Sequence, residues 1–138
     1  DGAALLNKKG EPIIALSLRD NRLNNFWFAL VHELAHLALG HVYSVEGQCI
    51  IDDLDLIEPQ SEIENEADEL ARKSLIPSHL WKSHPARKTG KLKDIVDLAS
   101  KADIHKSIVA GRIRYERNNY RILWPHVGNG MVRKLFFA

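Results

Sequence analysis

The stretch FWFALVHELAHLALGH, residues 26–41, has the composition of a buried helix that is interrupted by charged groups. Between Phe26 and Leu39 every side chain is apolar except those of His32, Glu33 and His36. An unpaired buried charge costs on the order of several kcal/mol, so something inside the protein must stabilise these three groups. The nature of that partner decides both the fold and the function.

Length and composition predict one globular domain over residues 1–138. The chain has 138 residues, of which 45% are hydrophobic, and this is enough for a core of its own. The first residues, DGAALL, lack a start methionine and a secretory signal, so we expect a fragment of a longer chain. We expect no membrane span. The single cysteine, Cys49, cannot form an internal disulfide, which favours a reducing, cytoplasmic location.

Charge is distributed unevenly along the chain, although the formal net charge is +1. Residues 1–69 contain 14 acidic and 4 basic side chains, whereas residues 70–138 contain 4 acidic and 15 basic side chains. Two interpretations of this asymmetry remain open. The two halves attract each other within one fold, or the basic half presents a face to nucleic acid.

Hydrophobic periodicity in the first half predicts an α+β domain with helices packed on a small antiparallel sheet. Residues 2–18 are expected to form a hairpin around NKKGE, and a short strand is expected within QCII, residues 48–51. The predicted helices run from a cap at Asn24 or Asn25 to near Gly40, and from a cap at Ser61 to a stop at Pro77.

The second half of the chain is predicted to be mainly helical and to end in strands. The predicted elements are a basic connector at 78–91, helices at about 91–101 and 104–118, and a closing pair of strands around GNG, in YRILWPHV and MVRKLFF.

The histidine pair in the first predicted helix has the spacing of a zinc site. Positions four apart share one helix face, so the rings of His32 and His36 converge on one point, where they can bind one Zn²⁺. Glu33 lies at the edge of that face, close enough to take a proton from a metal-activated water without being a ligand. The alternative is a pair of core histidines with ordinary hydrogen-bond partners on an amphipathic helix.

A catalytic zinc site needs a third protein ligand and one open position, and the acidic second helix offers candidates. Glu64 and Asp68 lie one turn apart on one face, so Glu64 can reach the metal while Asp68 orients a ligand histidine. Glu66 points elsewhere. A solvated acidic helix start is the alternative interpretation, and it suits Glu62, Glu66 and Glu69 well.

Other histidines do not have ligand spacing. His41 comes five positions after His36, where the longer H-E-x-x-H-x-x-G-x-x-H pattern requires six, so we expect it at a pocket edge or helix end. Surface positions are expected for His79, His84, His105 and His126.

The two motifs together resemble the ImmA/IrrE family of zinc metallopeptidases. FALVHELAHLALGH and EIENEADELARKSLIP match the family's apolar H-E-x-x-H helix and its later E-x-E-A-N/D-x-F-A segment, over about residues 26–77. Leu70 stands where Phe is usual, and SLIP stands where LLMP is common. IVAGRIRYE resembles a later helix of the family less closely.

The resemblance implies a zincin-like fold with a gluzincin ligand set. His32, His36 and Glu64 would be the zinc ligands, Glu33 the catalytic base, and Asp68 stands at the family's Asn or Asp position. Members often carry an N-terminal helix-turn-helix domain and cleave or regulate repressors in phage, mobile-element, stress and toxin–antitoxin systems. The expected activity is that of a zinc metalloendopeptidase acting on a repressor or antitoxin partner, with DNA contacted through an upstream domain.

Two other functions remain open. The first is a zinc-containing regulatory or sensing domain of a repressor or antitoxin, with little or no proteolysis. The second is a DNA-binding module at 91–118, whose second helix carries Arg112, Arg114 and Arg117. The apolar spacing of that helix equally describes a packed helix with a solvated basic face, and we expect weak, salt-sensitive DNA binding without sequence preference.

Overall fold

In the computed structural model the N-terminal residues form the predicted hairpin. Strand β1 (Gly2–Leu6) pairs antiparallel with strand β2 (Pro12–Leu16). The side-chain oxygen of Asn7 accepts the backbone N–H of Glu11, and Gly10 has a left-handed φ of +79°. Glycine adopts this conformation without steric cost, which explains why NKKGE makes a tight connection.

The structure describes residues 1–44, 50–51 and 59–137, which include a short third strand, β3 (Ile50–Ile51). β3 pairs antiparallel with β1, so the strand order is β2-β1-β3 with β1 at the centre. The strand predicted within QCII is confirmed at its last two residues. Gln48 and Cys49 lie outside the described residues.

Helix α1 (Leu23–Ala38) contains the H-E-x-x-H pattern and ends close to Gly40, as predicted. The backbone N–H of Gly40 bonds to the carbonyl of Leu37, and Gly40 has a φ of +74°. This left-handed conformation is typical of the residue that follows a helix. A short helix, α2 (His41–Ser44), begins at the next residue.

The start of α1 differs from the predicted asparagine cap. Asn24 and Asn25 both lie inside the helix. The backbone N–H groups of Leu23 and Asn24 bond instead to the carbonyl oxygens of Gly128 and Val127. The first N–H groups of a helix need acceptors, and a distant carbonyl satisfies them as well as a side-chain cap does. A local sequence pattern cannot identify such an acceptor.

The acidic helix, α3 (Pro59–Leu75), begins two residues before the predicted cap at Ser61. Proline suits the first position of a helix, because an N–H at that position would have no partner within the helix. The end of α3 lies two residues before Pro77, which confirms the predicted stop.

The chain divides into two compact units, of which unit 1 comprises Asp1–Ser17 and Phe28–Arg72. In unit 1 an apolar cluster joins the central strand to the three helices introduced above. The cluster consists of Ala4, Leu6, Leu37, Val42 and Ile63. The predicted packing of helices on a small antiparallel sheet is therefore confirmed.

Unit 2 comprises Leu18–Trp27 and Lys73–Ala138, and its described residues are mainly helical. Its helices after α3 are α4 (Ser78–Ser83), α5 (Ala86–Thr89), α6 (Leu92–Ala102), α7 (Lys106–Glu116) and α8 (Val132–Phe136). The predicted helices at 91–101 and 104–118 are confirmed as α6 and α7. The predicted basic connector at 78–91 is wrong, because most of it forms α4 and α5.

The closing strands predicted around GNG are also wrong. Residues Trp124–His126 form a 3-10 helix, and α8 stands where the second strand was expected. Asn129 makes an isolated bridge to Arg22, and the side chain of Asn21 accepts the backbone N–H of Arg133 near the start of α8. These contacts with the segment before α1 satisfy backbone groups that a hairpin would otherwise have paired.

The core of unit 2 forms mainly where α6 packs on α7. Trp81 lies at its edge and donates its indole N–H to Glu116 at 2.7 Å, so the polar atom of this large side chain is satisfied. The buried members of the core are Ile76, Trp81, Ala86, Ile95, Leu98, Ala99, Ile108, Val109 and Ile113.

The described residues combine one small antiparallel sheet with many helices, which confirms the α+β class. The zincin-like assignment and the single domain over residues 1–138 stay predictions. Within the described ranges, the helices are too short or too polar to cross a membrane.

We predict that Leu98→Ala lowers the free energy of unfolding by about 2–5 kcal/mol, because Leu98 is fully buried and its truncation leaves a cavity. Leu92→Ala makes the same change on the same helix at a side chain that is 42% exposed, and should cost less than about 1 kcal/mol. Urea unfolding followed by circular dichroism measures both. Equal losses would contradict the assignment of the buried face of α6.

Candidate metal centre

Helix α1 buries its three ionisable side chains, whereas one leucine within the helix and one just after it are exposed. His32, Glu33 and His36 expose 2%, 0% and 0% of their surface, whereas Leu34 and Leu39 are 46% and 44% exposed. An ordinary amphipathic helix buries its apolar residues and exposes the charged ones. The reversed arrangement means that partners elsewhere in unit 1 must stabilise the buried groups.

Three side chains of the kinds that bind metals converge from α1 and α3. Nε2 of His32 lies 2.9 Å from Oε2 of Glu64. Nε2 of His36 lies 3.1 Å from Nε2 of His32 and 3.2 Å from Oε1 of Glu64. The two imidazole rings meet nearly edge-on, with an interplanar angle of 85°. These residues form a group that could hold a metal ion, and they are the three that the sequence predicts.

Asp68 contacts the other ring nitrogen of His32 from one turn further along α3. Its Oδ1 lies 2.8 Å from Nδ1 of His32, and its Oδ2 lies 3.6 Å from the guanidinium of Arg72. A carboxylate beside Nδ1 favours the ring proton there, which would direct the Nε2 lone pair of His32 towards Glu64. Asp68 therefore lies where the predicted orienting carboxylate would have to be.

A second chain of contacts, which the sequence analysis missed, reaches His36 at its Nδ1. This atom lies 2.9 Å from Nδ1 of His41, and Nε2 of His41 lies 2.8 Å from Oε2 of Glu66. His41 follows the end of α1, near the expected helix end, but it starts α2 and is buried. Glu66 is exposed, as expected, yet it contacts His41. The path from His36 to His41 crosses the end of α1, where helical spacing no longer predicts neighbours.

One arrangement of the ring protons places lone pairs at the centre of the group formed by His32, His36 and Glu64. If Glu66 accepts a proton from Nε2 of His41, then Nδ1 of His41 can accept the Nδ1–H of His36. In that arrangement both ligand-type histidines carry their proton on Nδ1. Their Nε2 lone pairs and the carboxylate of Glu64 face one another at 2.9–3.2 Å. A shared cation, either a proton or a metal ion, removes the repulsion between them.

The donor set fits Zn²⁺ in both chemistry and spacing. Zinc lies about 2.0–2.1 Å from nitrogen and oxygen ligands, so two ligands of a tetrahedral site are about 3.3 Å apart. The two Nε2 atoms are 3.1 Å apart, close to that value, and with one donor atom from each residue the three lie within 4.8 Å of one another. Two imidazoles and one carboxylate also make a three-ligand set of the catalytic type, which leaves one tetrahedral position open.

The charge of Glu64 favours a cation at this place. Burial raises the pKa of the Glu64 carboxyl, but the hydrogen-bond contacts and charge interactions with His32 and His36 outweigh burial and lower it to about 2. Glu64 is therefore an anion at neutral pH. The ionised carboxylate is the form that binds a metal ion.

Glu33, the predicted base, is fully buried and packs against the first residue of β1. A methyl group added at Gly2 would lie 2.9 Å from both Cγ and Oε1 of Glu33. Real side chains do not approach so closely, so the absence of a side chain at Gly2 provides the space that the carboxylate occupies.

The remaining histidines lie in unit 2 and differ in their surroundings. His79 is exposed, as predicted, but His84 is buried. Nδ1 of His84 accepts the N–H of Ala86 at the start of α5, and its Nε2 lies 2.7 Å from a carboxylate on α6. The predicted surface position of His84 is therefore wrong, because the ring holds two chain segments together. His105 and His126 are half-buried.

No protein-family model matches the chain, and no curated protein or solved structure matches it either. The candidate centre is therefore defined by its own geometry. The structure brings together the predicted ligands His32, His36 and Glu64, and places Asp68 against one of them.

We predict that the purified protein binds about one Zn²⁺ per chain and that His36→Ala abolishes this binding, because a donor atom is lost. Glu64→Ala should weaken binding, whereas Glu62→Ala, which removes an exposed acid from the same helix, should not. Metal analysis and chelator competition measure both effects. Equal zinc contents in wild-type and His36→Ala protein would remove this site from consideration.

Proposed function

We propose that this chain is a zinc-dependent metallopeptidase domain that hydrolyses peptide bonds in a protein partner, such as a repressor or antitoxin. The observation that carries the proposal is the convergence of His32, His36 and Glu64, with the buried Glu33 next to His32 in sequence. The resemblance of the two motifs to the ImmA/IrrE family supports the same activity and a zincin-like fold. A cytoplasmic location agrees with the lone cysteine.

The ligands in this proposal are His32 and His36 from α1 and Glu64 from α3. Zinc bound there would act as a Lewis acid, polarising the scissile carbonyl and making water a better nucleophile. Asp68 holds the ring of His32 so that Nε2 keeps its direction. Because the ligands sit on two helices of one unit, their geometry is fixed before a substrate arrives.

Glu33 carries the proton in the proposed reaction. As a carboxylate it takes a proton from the attacking water, and it then delivers that proton to the leaving amine nitrogen. Its position next to His32 on α1 places it beside the ligands while its chemistry stays separate from theirs. Gly2 supports this role by leaving room for the carboxylate.

An extended substrate would bind along the edge of the sheet. The strand order β2-β1-β3 puts β2 at one edge, where its outward backbone groups can pair with a peptide. Backbone pairing of this kind gives affinity for an extended chain, and side-chain pockets add specificity.

The regulatory alternative would use the same ligands without cleavage. The burial of Glu33 beside them favours proteolysis, because a domain that only senses zinc has no use for a buried carboxylate that is not a ligand.

The contacts of Arg112, Arg114 and Arg117 give little support to the DNA-binding alternative. Arg114 is buried and donates to the carbonyl of Tyr120, and Arg117 donates to the carbonyl of Lys88. Arg112 lies over the ring of Trp81 at 5.1 Å. Guanidinium groups engaged within unit 2 are poorly placed to read base edges. DNA contact through an upstream domain remains part of the proposal.

We predict that Glu33→Gln retains the zinc and the fold but loses hydrolysis, because glutamine keeps the shape of the side chain and cannot carry the proton. The assay is cleavage of a partner repressor, or of a peptide library, by zinc-loaded protein with metal content measured in parallel. Undiminished cleavage by this variant would show that the catalytic assignment is wrong.

We also predict that Gly2→Ala lowers kcat about 10- to 100-fold with the zinc content unchanged, because the methyl group displaces the Glu33 carboxylate. Gly10→Ala is the matched control in the same hairpin. There an added methyl group meets no described atom within 4 Å, although the positive φ costs some stability. Comparable losses of kcat in both variants would argue against a specific contact with Glu33.

A further inference from the structure

We propose that His41 and Glu66 form a positioning pair that fixes the ring of His36 and strengthens it as a metal ligand. The inference rests on the proposed zinc site and adds two residues to it that the sequence motifs do not assign a role. Neither residue would touch the metal or the substrate. Both would act through the Nδ1 atom of His36.

The chain path brings His41 against His36. Gly40 ends α1 in the left-handed conformation, and α2 starts directly with His41, whose ring lies with its centroid 5.1 Å from that of His36. His41 is 7% exposed, so its contact with His36 is shielded from water. A hydrogen bond in such surroundings is stronger than one at the surface.

The position of each ring proton follows from the last contact in the series, between His41 and Glu66. Glu66 is an acceptor, and its Oε2 lies 2.8 Å from Nε2 of His41, so that nitrogen carries the proton. With its proton on Nε2, His41 keeps a lone pair on Nδ1, which accepts the proton on Nδ1 of His36 at 2.9 Å. The Nε2 of His36 is left with its lone pair directed at the ligand group.

Both nitrogens of His41 are therefore engaged, which argues against His41 as a fourth ligand. Its Nδ1 faces His36, and its Nε2 faces Glu66. The metal would keep one open position, as a catalytic centre requires.

The two ligand histidines would thus be supported in different ways. His32 contacts the carboxylate of Asp68 directly, whereas His36 reaches the carboxylate of Glu66 through a second imidazole. In each case negative charge behind Nδ1 makes Nε2 a stronger donor to a cation. The side chain of Glu66 is 61% exposed, so its charge is partly screened and its own effect should be the smaller.

The test compares zinc affinity among variants of the whole chain, measured by competition with a chromophoric chelator. His41→Phe keeps a ring and removes both hydrogen bonds, and should raise the Kd for zinc about 10- to 100-fold. His41→Asn, whose side-chain oxygen can replace Nδ1 as the acceptor, should recover most of that loss. Glu66→Ala should weaken binding less than His41→Phe does, and Glu62→Ala is the matched control.

Two further measurements separate positioning from a general effect on folding. Nitrogen-15 spectra of the zinc-loaded wild-type protein should show His36 protonated at Nδ1 and His41 at Nε2. In metal-free Glu66→Ala the proton of His41 should no longer be confined to Nε2. The thermal unfolding of metal-free Glu66→Ala should stay close to that of the wild type, because Glu66 is largely exposed.

The outcomes distinguish this inference from the proposed function. If the wild type binds zinc but His41→Phe and Glu66→Ala bind it equally well, the positioning pair is wrong and the zinc site stands. If His41→Phe does not fold, Glu66→Ala and the tautomer of His41 decide the question. If the wild type binds no zinc, the zinc site fails first and the inference fails with it.

Discussion

The burial of His32, Glu33 and His36 on one face of α1 is the constraint on which unit 1 depends. Ionisable groups inside a protein need partners, and two of these three have theirs on α3. Leu34 lies on a different face of α1 from the two histidines and is exposed. The ionisable groups that interrupt the apolar helix in the sequence therefore determine which residues α1 contacts in unit 1.

Helix α3 supplies every carboxylate that reaches the two histidines in the described contacts. Glu64 and Asp68 are four residues apart and share a face, so one meets both Nε2 atoms while the other meets the Nδ1 of His32. Glu66 lies between them in sequence and faces away, where it meets His41 instead. One acidic helix thus determines the direction of both lone pairs, and with it the affinity of the centre for a cation.

Unit 2 uses its basic residues differently from the way the charge pattern suggested. Arg114 and Arg117 donate to backbone carbonyls, and Arg133 holds the segment before α1 by donating to the carbonyls of Leu18 and Arg19. A guanidinium group offers several donors in a fixed geometry, which suits it to satisfying carbonyls that no helix or sheet pairs. These three of the 15 basic residues in the second half are therefore structural.

The sequence alone determined the hairpin, α1 and the paired helices α6 and α7, because each depends on periodicity within an element. The paired motifs also predicted that Glu64 joins His32 and His36. Tertiary structure decided the remaining contacts between elements. The acceptors at the start of α1, the contact of Asn21 with the start of α8 and the contact of His41 with Glu66 all join residues far apart in sequence. Local spacing carries no information about such partners, since they meet only when separate elements pack.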